Sequence, residues 1–197
     1  HEASVRLIGI VNDFLDMSRL EMSKVEFKIV RVNLEDVIKE VIKEYEVTGS
    51  RQKLSIELVA TKEKVPEVLA DRDRLKQILI NLIGNAIKFT KEGGIKIELH
   101  PDAKNMVIWV VDSGTGIPLA NQGLLFHKFQ QAGSSLATRD TSKGTGLGLY
   151  ISRLLAEGMG GKLELIKSEE GKGSVFGVTL PMGQPSLKAM AAKGGKK

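Results

Sequence analysis

The 197-residue chain contains no cysteine, which excludes disulfides, thiolate zinc sites and a cysteine nucleophile. It lacks any apolar run near the roughly 20 residues needed to span a bilayer, so no transmembrane helix is expected. Its first residues, His1-Glu2-Ala3-Ser4-Val5-Arg6, have neither the basic start nor the apolar stretch of a secretory signal. A reducing, cytoplasmic setting is the expectation, with any membrane anchor in a portion of the intact protein N-terminal to this chain. No Gly-x4-Gly-Lys-Ser/Thr loop occurs, which excludes P-loop nucleotide chemistry, and the protein-kinase signature motifs are absent as well. Acid is missing from the last ten residues, where Lys188, Lys193, Lys196 and Lys197 supply four charges of the net +5. Such a tail can meet nucleic acid or acidic lipid electrostatically, but it carries no aromatic residue and only small or flexible neighbours. Residues 183–197 therefore read as a disordered, solubilising end, and no nucleic-acid partner is expected.

What is present is an ordinary globular composition, 42% apolar and 27% charged, long enough to bury a core. Residues 1–24 read as one helix. Ile8, Val11, Leu15, Ser18 and Met22 recur at spacings of three and four, as in a coiled-coil seam, and Leu7, Ile10, Phe14 and Met17 widen the apolar face. A helix of that kind wants partners on more than one side, as a piece of a larger bundle does, although a buried core helix has the same pattern. A β-like run follows from Val25 to Val32. Asn33 then offers an N-cap, with Asp36 three residues on, to a helix with Val37, Ile38, Val41, Ile42 and Tyr45 on its apolar face. Gly49-Ser50 is its expected stop.

Leu54 to Ala60 alternates as a strand, residues 62–67 form a charged loop around Pro66, and Asp71 opens the next helix. Strands are expected over Ile95–His100 and Met106–Val111, with a turn around Pro101-Asp102, and over Leu163–Ile166 and Ser174–Leu180. Between these pairs lie a Gly-, Ser- and Thr-rich stretch from Ser113 to Thr145 and a helix from about Leu147 to Glu157. No internal repeat is present. The order predicts an α+β sandwich, with several helices covering one face of a mostly antiparallel sheet.

Three segments carry chemistry. In the helix from Asp71 to Thr90, Leu75, Ile78, Leu79, Leu82, Ile83, Ala86 and Ile87 form the buried face. Gln77, Asn81, Asn85 and Lys88 form a second, polar stripe at i, i+4, i+8 and i+11. For this helix in isolation, a solvated face explains the stripe as well as a site does. In the functional reading, Asn85 offers its carboxamide oxygen to a hard cation such as Mg2+, and Lys88, one turn on, meets phosphate oxygens. Asp112 ends the apolar strand Val107-Ile108-Trp109-Val110-Val111 and enters Ser113-Gly114-Thr115-Gly116-Ile117-Pro118. A carboxylate there is costly unless paired, and it can accept a hydrogen bond from the exocyclic amine of a base. A plain Asp-Ser-Gly turn is the simpler reading of that segment alone. The glycines of Lys143-Gly144-Thr145-Gly146-Leu147-Gly148-Leu149 open a helix whose N-terminal N–H groups suit phosphate. This is not the dinucleotide fingerprint, because a Ser/Thr/Gly loop precedes it instead of a strand.

The ordered set is more specific than its parts. Asn81-Leu82-Ile83-Gly84-Asn85-Ala86-Ile87-Lys88-Phe89-Thr90 and Asp112-Ser113-Gly114-Thr115-Gly116-Ile117 resemble the N-box and G1 box of sensor histidine kinases. Leu125-Phe126-His127-Lys128-Phe129-Gln130 is similar to the F-box, and Gly144-Thr145-Gly146-Leu147-Gly148-Leu149 to the G2 box. Asn12 to Glu21 resembles the end of the second dimerisation helix, and Gly160-Gly161, Ser168 and the segment from Gly173 to Pro181 resemble the family's last hairpin.

The resemblance implies a Bergerat-type (GHKL) ATP-binding α/β sandwich, a mixed sheet covered by helices on one face and preceded by one dimerisation helix. Residues 1–24 would be that helix, 25–182 the ATP-binding catalytic domain and 183–197 the tail. By matching position, Asn85 would be the Mg2+ ligand with Asn81 supporting it, Lys88 would contact phosphate and Phe89 would pack beside adenine. Asp112 would read the adenine amine, with Gly114, Gly116 and Ile117 lining the base. Gly144, Thr145, Gly146, Leu147 and Gly148 would lie under the triphosphate, and Arg139 falls where the lid often carries a phosphate-directed arginine. Phe126 and Phe129 would anchor lid and helix packing. Leu119-Ala120-Asn121-Gln122 and His127 depart from the acidic residues the family often places around the F-box.

Related ATPases of this fold, such as gyrase and mismatch-repair proteins, place a water-activating glutamate one turn before the metal-binding asparagine. Asn81 stands there, a neutral amide that cannot act as a general base. The implied chemistry is transfer of the γ-phosphoryl to a protein histidine, then relay to a receiver-domain aspartate. His1-Glu2 is superficially like the start of the H-box, but Val5-Arg6-Leu7 replaces Thr/Asn-Pro-Leu and His1 precedes the second helix, not the first. His1 is thus expected to be a helix-end histidine, and His100 and His127 surface or packing residues. The expectation is a chain that binds Mg·ATP without autophosphorylating. Its partners would be the phosphoacceptor helix of a homodimeric intact protein and a response regulator. A non-catalytic nucleotide-gated interaction module and an anti-sigma-type serine kinase are the rival readings, and weak self-association through the first helix is expected.

Overall fold

A computed structural model describes residues 11, 14–22, 25–61, 65–130 and 145–183. His1, Arg139, Gly144 and the basic tail beyond 183 lie outside the described residues. The elements run α1 (14–21), β1 (Val30–Val32), α2 (Leu34–Gln52), β2 (Ser55–Leu58), β3 (Val68–Ala70), α3 (Arg72–Phe89) and β4 (Gly94–Asp102). They continue with β5 (Asn105–Asp112), α4 (Leu119–Gln122), α5 (Gly148–Gly158), β6 (Lys162–Glu169) and β7 (Gly173–Pro181).

The helix α3 is the keel of the fold. Its apolar residues Leu75, Ile78, Leu79, Leu82, Ile83, Ala86 and Ile87 are all buried, as their spacing predicts, and the helix packs against α2, α5, β4 and β5. Asp71 caps it by accepting from the N–H groups of Asp73 and Arg74 at 3.1 and 3.2 Å, and also takes the N–H of Lys28 at 2.8 Å. That one side chain therefore starts α3 and tethers the extended segment leading into β1.

Beneath the helices lies a five-stranded sheet in the order β2-β4-β5-β7-β6. Period-two alternation is clean along β5, where Met106, Ile108, Val110 and Asp112 are buried and their neighbours are half-buried. All pairings are antiparallel except β2 with β4, so the sheet is mixed, with one parallel pair. A smaller sheet pairs β1 with β3 antiparallel, placing Val32 against Val68 and Val30 against Ala70.

Three local expectations need correction. Of the run Val25 to Val32, only the last three residues form a strand. Gly49 does not stop α2 but lies inside it, buried where a Cβ would meet the Ile56 side chain and the Leu54 carbonyl. The helix ends at Lys53 in a left-handed cap, φ 57°. The turn between β4 and β5 falls at 103–104, beyond Pro101 and Asp102, which belong to β4. Pro101 is tolerated there because β2 pairs only with Gly94 to Ile97, leaving that flank of β4 without a ladder to lose.

Helix α1 is two-faced. Met17 is buried in the core and Leu20 packs against it, while Val11, Phe14, Leu15 and Met22 are about half exposed. Asp16 accepts from Gln77 Nε2 of α3 at 3.2 Å, and Glu21 accepts from the Tyr150 hydroxyl of α5 at 2.5 Å and pairs with Lys128. Among the described seam residues, Val11, Leu15 and Met22 therefore point away from the domain, while Leu7, Ile8 and Ile10 lie outside the described residues. Among the described residues, no helix is long and apolar enough to cross a membrane.

Asp71→Ala is expected to lower stability by about 1–3 kcal/mol, because it removes a cap and orphans the Lys28 N–H. Asn33→Ala removes a cap with a single bond, to Glu35 N at 3.0 Å, and should lower it by about 1 kcal/mol. Urea midpoints of the two variants check the order.

Candidate functional site

Strand β5 delivers Asp112 to the buried side of the sheet end, and the carboxylate has only 8% of its residue surface exposed. Two backbone groups hold it. Gly114 N–H donates to Oδ1 at 2.8 Å, and the N–H of Ser174 on β7 donates as well. Burial pushes the Asp112 carboxyl above its ordinary value, and these two donors draw it part of the way back. A carboxylate with two N–H donors retains lone-pair capacity for a further donor.

The turn after Asp112 is stitched to its surroundings by backbone bonds. Thr115 N–H donates to the Phe89 carbonyl at 3.1 Å, and the Thr115 carbonyl accepts from Gly171 N–H at 2.8 Å. Gly116 has φ +65° and faces the Glu169 carbonyl with no room for a Cβ, and Gly173, φ +91°, abuts the Asp112 carbonyl in the same way. Ile117 N–H donates to Ser168 Oγ at 2.8 Å, and Gln122 Nε2 donates to the Ile117 carbonyl at 2.8 Å. The G1-like turn thus joins the end of α3 and the β6–β7 hairpin with backbone-to-backbone closeness.

The polar stripe of α3 is not a solvated face. Gln77, Asn81 and Asn85 are half-buried. Asn81 Nδ2 donates to Ser152 Oγ of α5 at 2.9 Å, and Asn85 Nδ2 donates to Asn81 Oδ1 at 3.3 Å. Gly148 opens α5 directly against the Asn81 carboxamide, where a Cβ would overlap it. Lys88 Nζ lies 5.0 Å from the centroid of the Phe89 ring, and that ring is 42% exposed. Gly146, φ +72°, sits against the backbone of Phe129 and Gln130. Thr145 Oγ1 accepts from Leu147 N–H at 3.2 Å, while the Leu147 side chain packs in the core and leaves only its backbone to the site.

The structure therefore gathers Asn81, Asn85 and Gly148 into one cluster and Phe89, Asp112, Gly114, Gly116 and Ile117 into another, with α3 contributing to both. Arg139 and Gly144 lie outside the described residues. Phe126 packs edge-on to Phe176 with ring centroids 6.5 Å apart, whereas Phe129 is exposed with φ +59°. His100 stacks on Trp109 at 4.0 Å and faces Glu98, and His127 is exposed. Sequence reasoning passed over Ser152, Ser174 and Gln122. Ser152 carried a signal, a buried hydroxyl on the apolar face of α5 beside Ile151, Leu155 and Ala156. Among the described residues, no group of three or more His, Cys, Asp or Glu is placed to hold a metal ion.

The family model described as histidine kinase-, DNA gyrase B- and HSP90-like ATPase matches residues 70–184, which contain every residue of this site. The chain is 36% identical over 179 residues to the sensor histidine kinase GacS of Pseudomonas protegens, covering 88% of this chain and 19% of that protein. It is 35% identical over 181 residues to the aerobic respiration control sensor protein ArcB of Escherichia coli, covering 91% and 23%. The chain thus spans about a fifth of the length of these relatives. Among solved structures, full-length ShkA in complex with AMPPNP superposes with a TM-score of 0.81 at 28% identity, covering 93% of this chain and 38% of that one. The catalytic domain of histidine kinase ThkA superposes at 0.65 with 32% identity, covering 79% and 97%. The chain belongs to the histidine kinase-, DNA gyrase B- and HSP90-like ATPase family, and within it to the catalytic domains of sensor histidine kinases.

Proposed function

We propose that this chain binds Mg·ATP between α3, the Asp112 turn and the start of α5, and passes the γ-phosphoryl to a histidine of the dimerisation hairpin of the intact protein. One observation carries the reading. A buried carboxylate, raised in pKa yet held by two backbone N–H groups, stands beside the Gly114–Ile117 turn, which is itself bonded to the backbone of Phe89 with its exposed ring. Asp112 accepts the adenine amine, Gly114, Gly116 and Ile117 line the base, and Phe89 packs beside it. Full-length ShkA in complex with AMPPNP supports the ligand class.

The donor set suits a metal that arrives with its phosphates. Asn85 spends its amide N–H on Asn81, which leaves its carboxamide oxygen for a hard cation, and the remaining ligands would be phosphate and water. Bound there, Mg2+ would neutralise charge on the phosphates. Lys88, Thr145 and the N–H groups around Gly146, Leu147 and Gly148 complement the same charge, with Gly144 and Arg139 assigned to the phosphates by their place in the family pattern.

The fate of the phosphoryl group follows from Asn81. It donates to Ser152 and accepts from Asn85, a pair of roles that an ionised carboxylate, which only accepts, could not fill. It takes no proton from water, so the chain positions the nucleotide for a protein acceptor instead of hydrolysing it. In this reading α1 is part of the second dimerisation helix, its exposed seam faces the rest of the hairpin, the intact protein is a homodimer, and a receiver aspartate in the cytoplasm takes the phosphoryl group onward.

Calorimetric titration with a non-hydrolysable ATP analogue tests the pocket. Asp112→Asn is expected to weaken binding roughly 10- to 150-fold, the worth of a hydrogen bond to a charged group. Asn85→Ala should abolish the tightening by Mg2+. Unchanged binding by Asp112→Asn sinks the adenine assignment.

The raised Asp112 carboxyl makes a second prediction. The folded state holds the proton more tightly than the unfolded chain, so stability falls as pH rises through the window between the unfolded value and the raised folded one. Asp112→Asn removes that loss. The variant should therefore melt above the parent at neutral pH, with the gap closing as pH falls through the carboxylate range. A variant that melts below the parent at neutral pH contradicts this.

For the acceptor, γ-labelled ATP with a purified dimerisation hairpin should give acid-labile, base-stable label on the hairpin. No label there, or label on His1, contradicts the proposed transfer.

A further inference from the structure

We infer that Ser168 is a positioning residue for the base-reading side of this site, fastening the Gly114–Ile117 turn to the β6–β7 hairpin so that Asp112 and the turn keep a fixed spacing. The inference rests on the nucleotide reading above and deepens it. Its starting point is an irregularity in β6. Leu163 and Leu165 point toward the core, and strict alternation would next turn Lys167 inward. The register with β7 shifts between Leu165 and Lys167, leaving one extra residue, Ile166, on β6. Alternation resumes out of phase, so Ser168 is half-buried while Lys167 is exposed. A bulge that re-aims one side chain is a recurring device beside functional sites.

The re-aimed hydroxyl is saturated. Ser168 Oγ accepts from Ile117 N–H at 2.8 Å, lies 3.2 Å from the Gly173 carbonyl as donor, and shares a bond of 2.9 Å with Ser174 Oγ. One proton and two lone pairs account for all three when Ser174 is the donor in the shared bond. The Ile117 bond has a single possible direction, since an N–H only donates.

Both ends of this bridge matter. At one end, the backbone of Ile117 is held by side chains alone among the bonds described, Ser168 on its N–H and Gln122 on its carbonyl. Gln122 also donates to the Ser168 carbonyl at 3.2 Å. At the other end stand Gly173, pressed on the Asp112 carbonyl, and Ser174, whose N–H holds the Asp112 carboxylate. The Ser168 side chain is thus bonded both to the Gly114–Ile117 turn and to Ser174, whose N–H holds the carboxylate. It touches no substrate, and it acts through Ile117 and Ser174.

The test compares the chain with Ser168→Ala, Ser168→Thr and Gln122→Ala, titrated with non-hydrolysable analogues of ATP and of the inosine nucleotide, which lacks the amine. Ser168→Ala is expected to weaken the adenine analogue by roughly 2- to 13-fold, about one lost hydrogen bond, and to narrow the adenine-over-inosine preference. Amide exchange at Ile117 should quicken. Ser168→Thr should restore affinity, preference and protection. Gln122→Ala should act in the same direction and keeps the test open if Ser168→Ala fails to fold. Equal loss for both nucleotides, or an unchanged preference, overturns the positioning role while leaving the nucleotide reading intact. A parent chain that shows no adenine preference overturns the nucleotide reading, and the inference with it.

Discussion

A carboxylate held at the buried end of an apolar strand is the constraint around which this domain is arranged. Alternation along β5 buries Met106, Ile108 and Val110, and the same period carries Asp112 to the core side. Water is largely excluded there, so the protein must supply partners. It does so with backbone, from Gly114 and Ser174, and those N–H groups reach the carboxylate only because the turn and the hairpin approach it without intervening side chains. A glycine at 173 and another at 116 follow from that closeness. Burial outweighs the hydrogen bonds and raises the Asp112 pKa, so ionising this carboxyl is costly to stability. Such an arrangement fits a group kept for a ligand's donor.

The second organising element is α3, which carries two stripes with different tasks. Its apolar stripe joins α2, α5 and the sheet into one core, and its half-buried amides meet α5 at Ser152 and Gly148. Packing and site are therefore mechanically one. The same helix meets α1 through Gln77 and Asp16, and α5 meets it through Tyr150 and Glu21. The two helices that frame the phosphates in the proposed reading, α3 and α5, are also those on which the preceding helix docks, while its Val11, Leu15 and Met22 stay outward.

Much of this was legible in the sequence where the signal is local and periodic. The apolar face of α3, the cap at Asp71 and the placement of Asp112 at a strand end all follow from spacing and residue type. The features that were misread or left unread involve tertiary context. Val68–Ala70 is a three-residue strand squeezed between a charged loop and a helix cap, too short to show a period. Gly49 reads as a helix stop until the Ile56 side chain is seen packed against it. The parallel pairing of β2 with β4 brings together segments separated by a whole helix, and no local pattern encodes it. At the site, the nucleotide-box residues were nameable from motif order, whereas the contacts of Ser152, Ser168 and Ser174 exist only because hairpin, turn and helix converge. The bulge at Ile166 hides Ser168 in particular, since it breaks the alternation by which an inward residue is recognised.

The most direct test of the central claim is a crystal structure of this chain with a non-hydrolysable ATP analogue and Mg2+. The account requires the adenine amine on the Asp112 carboxylate, the base against the Gly114–Ile117 turn, the metal on Asn85 Oδ1, and the phosphates at the start of α5. Nucleotide bound elsewhere, or bound here with its amine turned away from Asp112, would contradict it.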